Sequence, residues 1–106
     1  MKIDRIEVYN KYGCHCAYCG NEIEYDDMQV DHVKPKSTGG GDDFDNLMPS
    51  CRSCNHYKRE CGLEGYRRLM STLHERIEKI YIVRVAIRYG LLTLKPFDGK
   101  FYFEKL

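Results

Sequence analysis

Two CxxC pairs, Cys16–Cys19 and Cys51–Cys54, constrain this chain more than any other feature. Two thiolates at that spacing converge on one ion at about 2.3 Å, and two such pairs complete a tetrahedral Zn2+ site with no open position. A closed site of this kind is structural, and its binding energy adds directly to folding. That contribution matters in 106 residues, because a chain this short buries proportionally little surface and often needs a staple. Cys14 competes with Cys16 as the partner of Cys19, and the spacing favours Cys16. Cys14 and Cys61 then read as ordinary thiols.

No apolar run approaches the ~20 residues needed to span a bilayer, and the amino terminus lacks the apolar core of a signal peptide. The expectation is an intracellular protein, cytoplasmic or nucleoid-associated, without a membrane partner. Structural disulfides are rare in a reducing compartment, which again favours metal ligation by the paired cysteines.

The length predicts one domain over residues 1–106, with an α+β fold. Asp4 followed by Glu7 resembles a capping box and Gly13 is a stop signal, so residues 5–12 read as a short helix. Met28 to Val33 read as a strand ended by Pro35 and by Gly39-Gly40-Gly41. Asn46-Leu47-Met48 read as a second strand, and Arg52 to about Glu60 as a helix stopped by Gly62. From Leu63 to Tyr89 the residues Leu69, Leu73, Ile77, Ile80, Val83 and Ile87 recur at steps of three or four. That period predicts one long helix, or two joined near His74. Leu91–Leu94 and Phe101–Phe103 flank the turn signal Asp98-Gly99 and predict a C-terminal β-hairpin. A motif core at 16–58 is thus followed by a helical and hairpin extension over 63–106.

The formal net charge of +1 conceals an asymmetry: residues 1–50 hold five Lys/Arg and ten Asp/Glu, whereas 51–106 hold twelve and six, so the halves carry −5 and +6. The second half can attract a polyanion. The overall pI of 7.6 lies below the value of about 9 at which charge alone marks a nucleic-acid-binding domain. Function must therefore be read from motifs.

Between Cys19 and Cys51 lie 31 residues, more than the ~15–20 that separate the knuckles of a simple zinc ribbon. The insert carries Asp31-His32 on the first strand and Asn46 before the second, and Asn55 follows the last paired cysteine. In that order the residues resemble the HNH endonuclease family in its zinc-bearing form. Its pattern runs C-x-x-C, D-H-V-x-P, a glycine-rich loop, N-L, then C-x-x-C-N-x-x-K, and Cys16 to Lys58 match it throughout. The resemblance implies a ββα-metal fold, a strand, loop, strand and helix wrapped round one divalent cation. It implies that His32 is the general base, that Asp31 and Asn55 hold the cation, and that Asn46 ties the loop so that His32 stays oriented. The implied activity is hydrolysis of DNA, read as duplex, leaving a 5′-phosphate and a 3′-hydroxyl.

The residue types suit that chemistry. A histidine imidazole titrates near 6.5 and can take a proton from water at neutral pH, which a carboxylate does poorly. Asp31 and the amide oxygen of Asn55 are hard oxygen donors suited to Mg2+ or Mn2+, ions that keep several waters and accept phosphate oxygens. Side chains alternate along a strand, so Asp31 and His32 are expected on opposite sides. Asn55, Lys58 and Arg59 fall at i, i+3 and i+4 of the short helix and are expected to share a face, with Lys58 and Arg59 on flanking phosphates.

Plainer readings fit the remaining features. His15, His56 and His74 read as structural or solvated histidines, and Arg67, Arg68, Arg76, Arg84 and Arg88 as a solvated helix surface. The triple glycine lacks the lysine and helix of a nucleotide-binding loop and reads as a flexible connection. A non-catalytic zinc module that binds DNA or protein would share the cysteines, but it has no need of Asp31, His32 and Asn55 together. One reaction centre breaks one phosphodiester, so a monomer is expected to nick. A homodimer would supply a second centre.

Overall fold

The computed structural model describes residues 3–106. They form two compact units, one running up to Leu63 and completed by Phe101–Leu106, the other spanning Glu64–Lys100.

In the first unit, helix α1 covers Arg5–Asn10. Its start follows from Asp4, whose Oδ1 accepts from the backbone N–H of Ile6 at 3.1 Å and of Glu7 at 3.2 Å. These are two of the donors a helix start leaves unsatisfied. The chain leaves the helix through Gly13 at φ 64°, a left-handed conformation that glycine adopts without a Cβ clash. Two cations tie α1 to the residues around the strands. Arg5 donates to the carbonyls of Tyr25 and Met28 at 2.8 and 2.7 Å, and Lys11 to those of Phe44 and Leu47 at 2.8 and 2.9 Å. Burial lowers the Lys11 pKa against the opposing pull of Asp45.

Strands β1, Gln29–His32, and β2, Leu47–Ser50, pair antiparallel, with Asp31 opposite Met48 and His32 opposite Leu47. Helix α2, Arg52–Lys58, follows at once. The expected order of strand, loop, strand and helix is observed, with bounds shifted by one to two residues. The loop is not a plain flexible connection, however. Short 3-10 turns at Lys36–Thr38 and Phe44–Asn46 order it. Val8, Cys16, Ala17, Tyr18, Met28, Leu47, Met48 and Phe101 are buried and form the apolar interior of this unit.

The expected C-terminal hairpin does not form: no residue from Leu91 to Leu106 is in a strand, and Tyr102–Lys105 make a 3-10 turn. Backbone donors that a hairpin would use go elsewhere, from Tyr102 to the Tyr18 carbonyl at 3.1 Å and from Phe103 to that of Ala17 at 2.8 Å. The Phe101 ring meets Tyr18 edge-on, 5.3 Å between centroids. Aromatic burial on the first cysteine knuckle thus outcompetes strand pairing with the exposed Leu91 and Leu92.

Where one long helix, or two joined near His74, was expected, the chain forms three: α3 Leu63–Ser71, α4 Leu73–Glu78 and α5 Tyr81–Arg88. The first break has a local cause. Ser71 Oγ donates to the Arg67 carbonyl at 2.7 Å and Thr72 Oγ1 to that of Leu69 at 3.3 Å, side-chain bonds that compete with the helical ladder. Arg76 then reaches back to the Leu69 carbonyl at 2.6 Å. The second break falls at Ile80, whose backbone is extended at ψ 124°. No helix among the described residues is long and apolar enough to cross a membrane.

Candidate metal centre and active site

The Sγ atoms of Cys16, Cys19, Cys51 and Cys54 all lie within 4.8 Å of one another, and those of Cys19 and Cys51 are 3.9 Å apart. Tetrahedral zinc with bonds of about 2.3 Å separates its sulfurs by about 3.8 Å, so the cluster has the dimensions of a zinc site. Backbone hydrogen bonds shape both knuckles. Gly20 N–H bonds the Cys16 carbonyl at 2.9 Å, Ala17 N–H bonds the Pro49 carbonyl at 2.8 Å, and the Cys54 N–H bonds Cys51 Sγ at 3.3 Å. Cys14 is outside the cluster and its thiol points to Asn10 Oδ1 at 3.7 Å, which settles the choice that spacing had favoured for Cys16.

The packed thiols differ in acidity. A hydrogen bond from Cys54 pushes the Cys16 thiol down to about 4. Cys19 is pushed up to about 11, chiefly by burial and further by the charge on Cys16, while Cys54 is raised by its bond to Cys16 and by burial. Four thiolates in one cluster need a cation to offset their mutual repulsion, and the donor set fits zinc.

A second site lies at the end of β1. Val30, Asp31, His32, Pro35, Asn55, Arg59 and Glu60 line a cavity of about 240 Å³ together with Lys36 and Ser37. His32 is half-buried there, and its Nε2 is 2.8 Å from Asp42 Oδ1. The hydrogen bond with His32, aided by Lys36 at 3.5 Å, holds the Asp42 carboxyl below its usual range against a smaller opposing effect of burial. Asp42 is the site residue that sequence reasoning missed. It is one of three aspartates in the run 42–45, and nothing in spacing distinguishes it from Asp43 or Asp45.

Asn46 stands just before β2 and its carboxamide is fully used. Oδ1 accepts from the Lys34 N–H at 2.9 Å, while Nδ2 donates to the carbonyls of Lys34 at 3.1 Å and Gly41 at 2.8 Å. These bonds staple both ends of the loop that carries Asp42. Gly40 is held equally closely: a Cβ on it would sit 1.7 Å from the Lys34 carbonyl oxygen.

Asp31 has partners different from those of His32, although both line the cavity. Its carboxylate accepts from the Tyr18 hydroxyl and pairs with the Lys58 ammonium, 3.2 Å from Oδ2 and 3.3 Å from Oδ1. Lys58 also donates to the His32 carbonyl at 3.3 Å.

The expected shared face of Asn55, Lys58 and Arg59 is therefore corrected. Lys58 is fully buried and faces Asp31, so it does not share an exposed face with Arg59. Arg59 lies beyond the last turn of α2 at φ 53°, ψ −128°, a region L residues rarely adopt, and the exposed Arg59 contributes to the cavity. Asn55 lines the same cavity, and its carboxamide has no hydrogen-bond partner among the described residues.

Asp31 and Asn55 are an adequate oxygen pair for Mg2+ or Mn2+. A carboxylate offers about four lone-pair sites, so Asp31 keeps acceptor capacity beyond Tyr18 and Lys58. Such ions need only one or two protein oxygens, with water and phosphate filling the rest. Among the described residues only the cysteine cluster brings three or more His, Cys, Asp or Glu ligand atoms together, so the second site is an open platform and not a cage.

Comparison with known proteins adds an independent observation. Residues 16–65 match the sequence profile of the HNH endonuclease family. The chain is 37% identical over 57 residues to the CRISPR-associated endonuclease Cas9 of Actinomyces naeslundii, covering 53% of this chain and 5% of that protein. It is 33% identical over 55 residues to the Cas9 of Corynebacterium diphtheriae, covering 51% and 5%. A protein of the Vibrio cholerae retron Vc95 is 33% identical over 66 residues, 58% of this chain and 32% of that one. The chain thus spans only a small part of the Cas9 proteins and about a third of the retron protein.

Proposed function

We propose that this chain, whose residues 16–65 match the HNH endonuclease family, hydrolyses DNA phosphodiester bonds with His32 as general base. The observation that carries the proposal is the alignment of His32 on Asp42, 2.8 Å from Nε2 to Oδ1, in the cavity that Asp31, Asn55 and Arg59 also line. An ionised Asp42 accepts a hydrogen bond from Nε2–H and leaves the lone pair on Nδ1. Nδ1 then takes the proton of a water molecule as that water attacks phosphorus. Asn46 keeps the loop closed, so the imidazole needs little reorganisation at the moment of reaction.

Asp31 and Asn55 would hold the Mg2+ or Mn2+ ion. When bound, that ion offsets the charge growing on the phosphate and on the departing 3′ oxygen. Arg59 supplies a positive charge at the cavity for a flanking phosphate. The products are a 5′-phosphate and a 3′-hydroxyl. Zinc on the four cysteines has a separate role, joining the first knuckle to the start of α2 and so fixing Asn55 relative to β1.

Duplex DNA is the proposed substrate. With one His32 per chain, the monomer nicks one strand, because the antiparallel partner presents its phosphates in the opposite sense. A two-fold dimer would supply the second centre.

The test is conversion of supercoiled plasmid by zinc-loaded protein in Mg2+ or Mn2+, with omission of both ions and His32→Ala as controls. Open circles accumulating before linear DNA, and lost in both controls, are expected. No conversion in either metal, with DNA binding retained, would make the chain a binding module instead.

A further inference from the structure

Lys58 has no part in the reaction described above, yet it is the largest fully buried side chain among the described residues. A buried ammonium requires a counter-charge, and this one has a single carboxylate, Asp31, at 3.2 and 3.3 Å. Its remaining contacts are the His32 carbonyl at 3.3 Å and the Tyr18 ring, 6.0 Å from Nζ to centroid. Both partners of the pair are shielded from solvent, with side-chain exposures of 1% and 6%, so water screens their attraction little. The other charges around the cavity cancel as well. Lys36 and Arg59 oppose Asp42 and Glu60.

We propose that Lys58 is a resident counter-cation for Asp31, which keeps the divalent-cation site weak in the free protein and makes its occupancy depend on a bound phosphodiester. The inference rests on the reading of Asp31 as a ligand of the catalytic ion. Asp31 and Lys58 together carry no net charge, so an approaching divalent ion meets no net attraction and an adjacent like charge. A phosphodiester entering the cavity brings the missing negative charge, and reciprocity then makes the ion tighten DNA binding in equal measure. Lys58 thereby also holds the Asp31 carboxylate in place while no divalent ion is there.

The experiment is a Mn2+ titration of zinc-loaded, full-length protein without DNA, read by the electron paramagnetic resonance of free Mn2+. Lys58→Met removes the charge, and Lys58→Gln removes it while keeping a hydrogen-bond donor if the first variant folds poorly. Zinc content and circular dichroism report folding for each. Even with the repulsion screened as in bulk water, loss of one adjacent positive charge corresponds to about tenfold tighter binding of a divalent ion. The expected result is therefore weak binding by the wild type, at least about tenfold tighter binding by the Lys58 variants, and no such gain when Asp31→Asn is added. A fluorescent duplex should bind the zinc-loaded wild type more tightly with added Mn2+ than without it. Equal or weaker Mn2+ affinity in the folded variants overturns the role of Lys58 and leaves the Asp31 site standing. If no variant shows an Asp31-dependent Mn2+ site, with or without duplex, the cation assignment itself falls.

Discussion

Nε2 of His32 and Oδ1 of Asp42 lie 2.8 Å apart, joining a strand residue to a loop residue ten positions later. The pair fixes which ring nitrogen is free, so Asp42 acts through His32 without touching substrate. Asp42→Asn should lower kcat at least about tenfold, a fraction of the 10²–10⁴ that a general base contributes, with a smaller change in KM for DNA. A kcat within twofold of wild type would remove Asp42 from the mechanism. The depressed Asp42 carboxyl also sets a sign for acid stability. Its contribution is present above the ordinary carboxyl value of about 4 and fades as pH falls through the lower folded value. Asp42→Asn should accordingly narrow its stability deficit below that range, as followed by thermal melts.

The cysteine cluster makes metal removal a folding experiment. One zinc per chain is expected by elemental analysis, and a strong chelator should abolish cooperative melting. Cys51→Ser should do more harm than a surface substitution, because it removes a zinc ligand, even though a serine hydroxyl can still cap α2 at the Cys54 N–H, and zinc binding is itself part of the folding energy. A folded, cooperative Cys51→Ser protein without zinc would contradict this.

Adjacent glycines should separate sharply. Gly40→Ala puts a methyl 1.7 Å from the Lys34 carbonyl oxygen, whereas the nearest atom to a Cβ on Gly41 is Asp43 Oδ2 at 3.7 Å. Gly40→Ala is expected to displace the Asp42 loop, costing about 2 kcal/mol or more together with cleavage activity, while Gly41→Ala stays within about 0.5 kcal/mol. Equal denaturation midpoints for the two variants would show that the close approach of Gly40 is relaxed in solution.

Arg59 combines an unfavourable backbone with an exposed charge at the cavity. Conformations of this kind cost about 1–3 kcal/mol in a residue with a Cβ, and glycine escapes most of that. Arg59→Gly should raise stability by about 1 kcal/mol, while Arg59→Ala should not. Both variants should bind DNA more weakly, with the salt dependence of binding reduced by about one ion. Weakened binding in neither variant would exclude Arg59 from the DNA contact.

Helix α1 and the strand, strand and helix order could be read from Asp4, Pro35, the glycines and Gly62, because caps and breakers act within a few residues. The expected hairpin, and the expected one or two helices over 63–89, give way where distant or side-chain bonds win. Tyr102 and Phe103 found carbonyls on the first knuckle, and Ser71 and Thr72 interrupted a stripe that periodicity alone carried through.

The sequence by itself determined which thiols can share an ion and which residues stand next to one another at the proposed reaction centre, since CxxC, Asp31-His32 and Cys54-Asn55 are local relations. Tertiary structure decided what each of those side chains faces. Helical spacing grouped Lys58 with Asn55 and Arg59, but only packing of α2 on β1 turned Lys58 inward to Asp31. Three nearby aspartates were equivalent until Gly40 and Asn46 folded the loop and brought Asp42, alone among them, onto His32. Spacing fixes neighbours along the chain at no cost in entropy. Contacts between distant residues exist only where burial and loop closure have already brought them together.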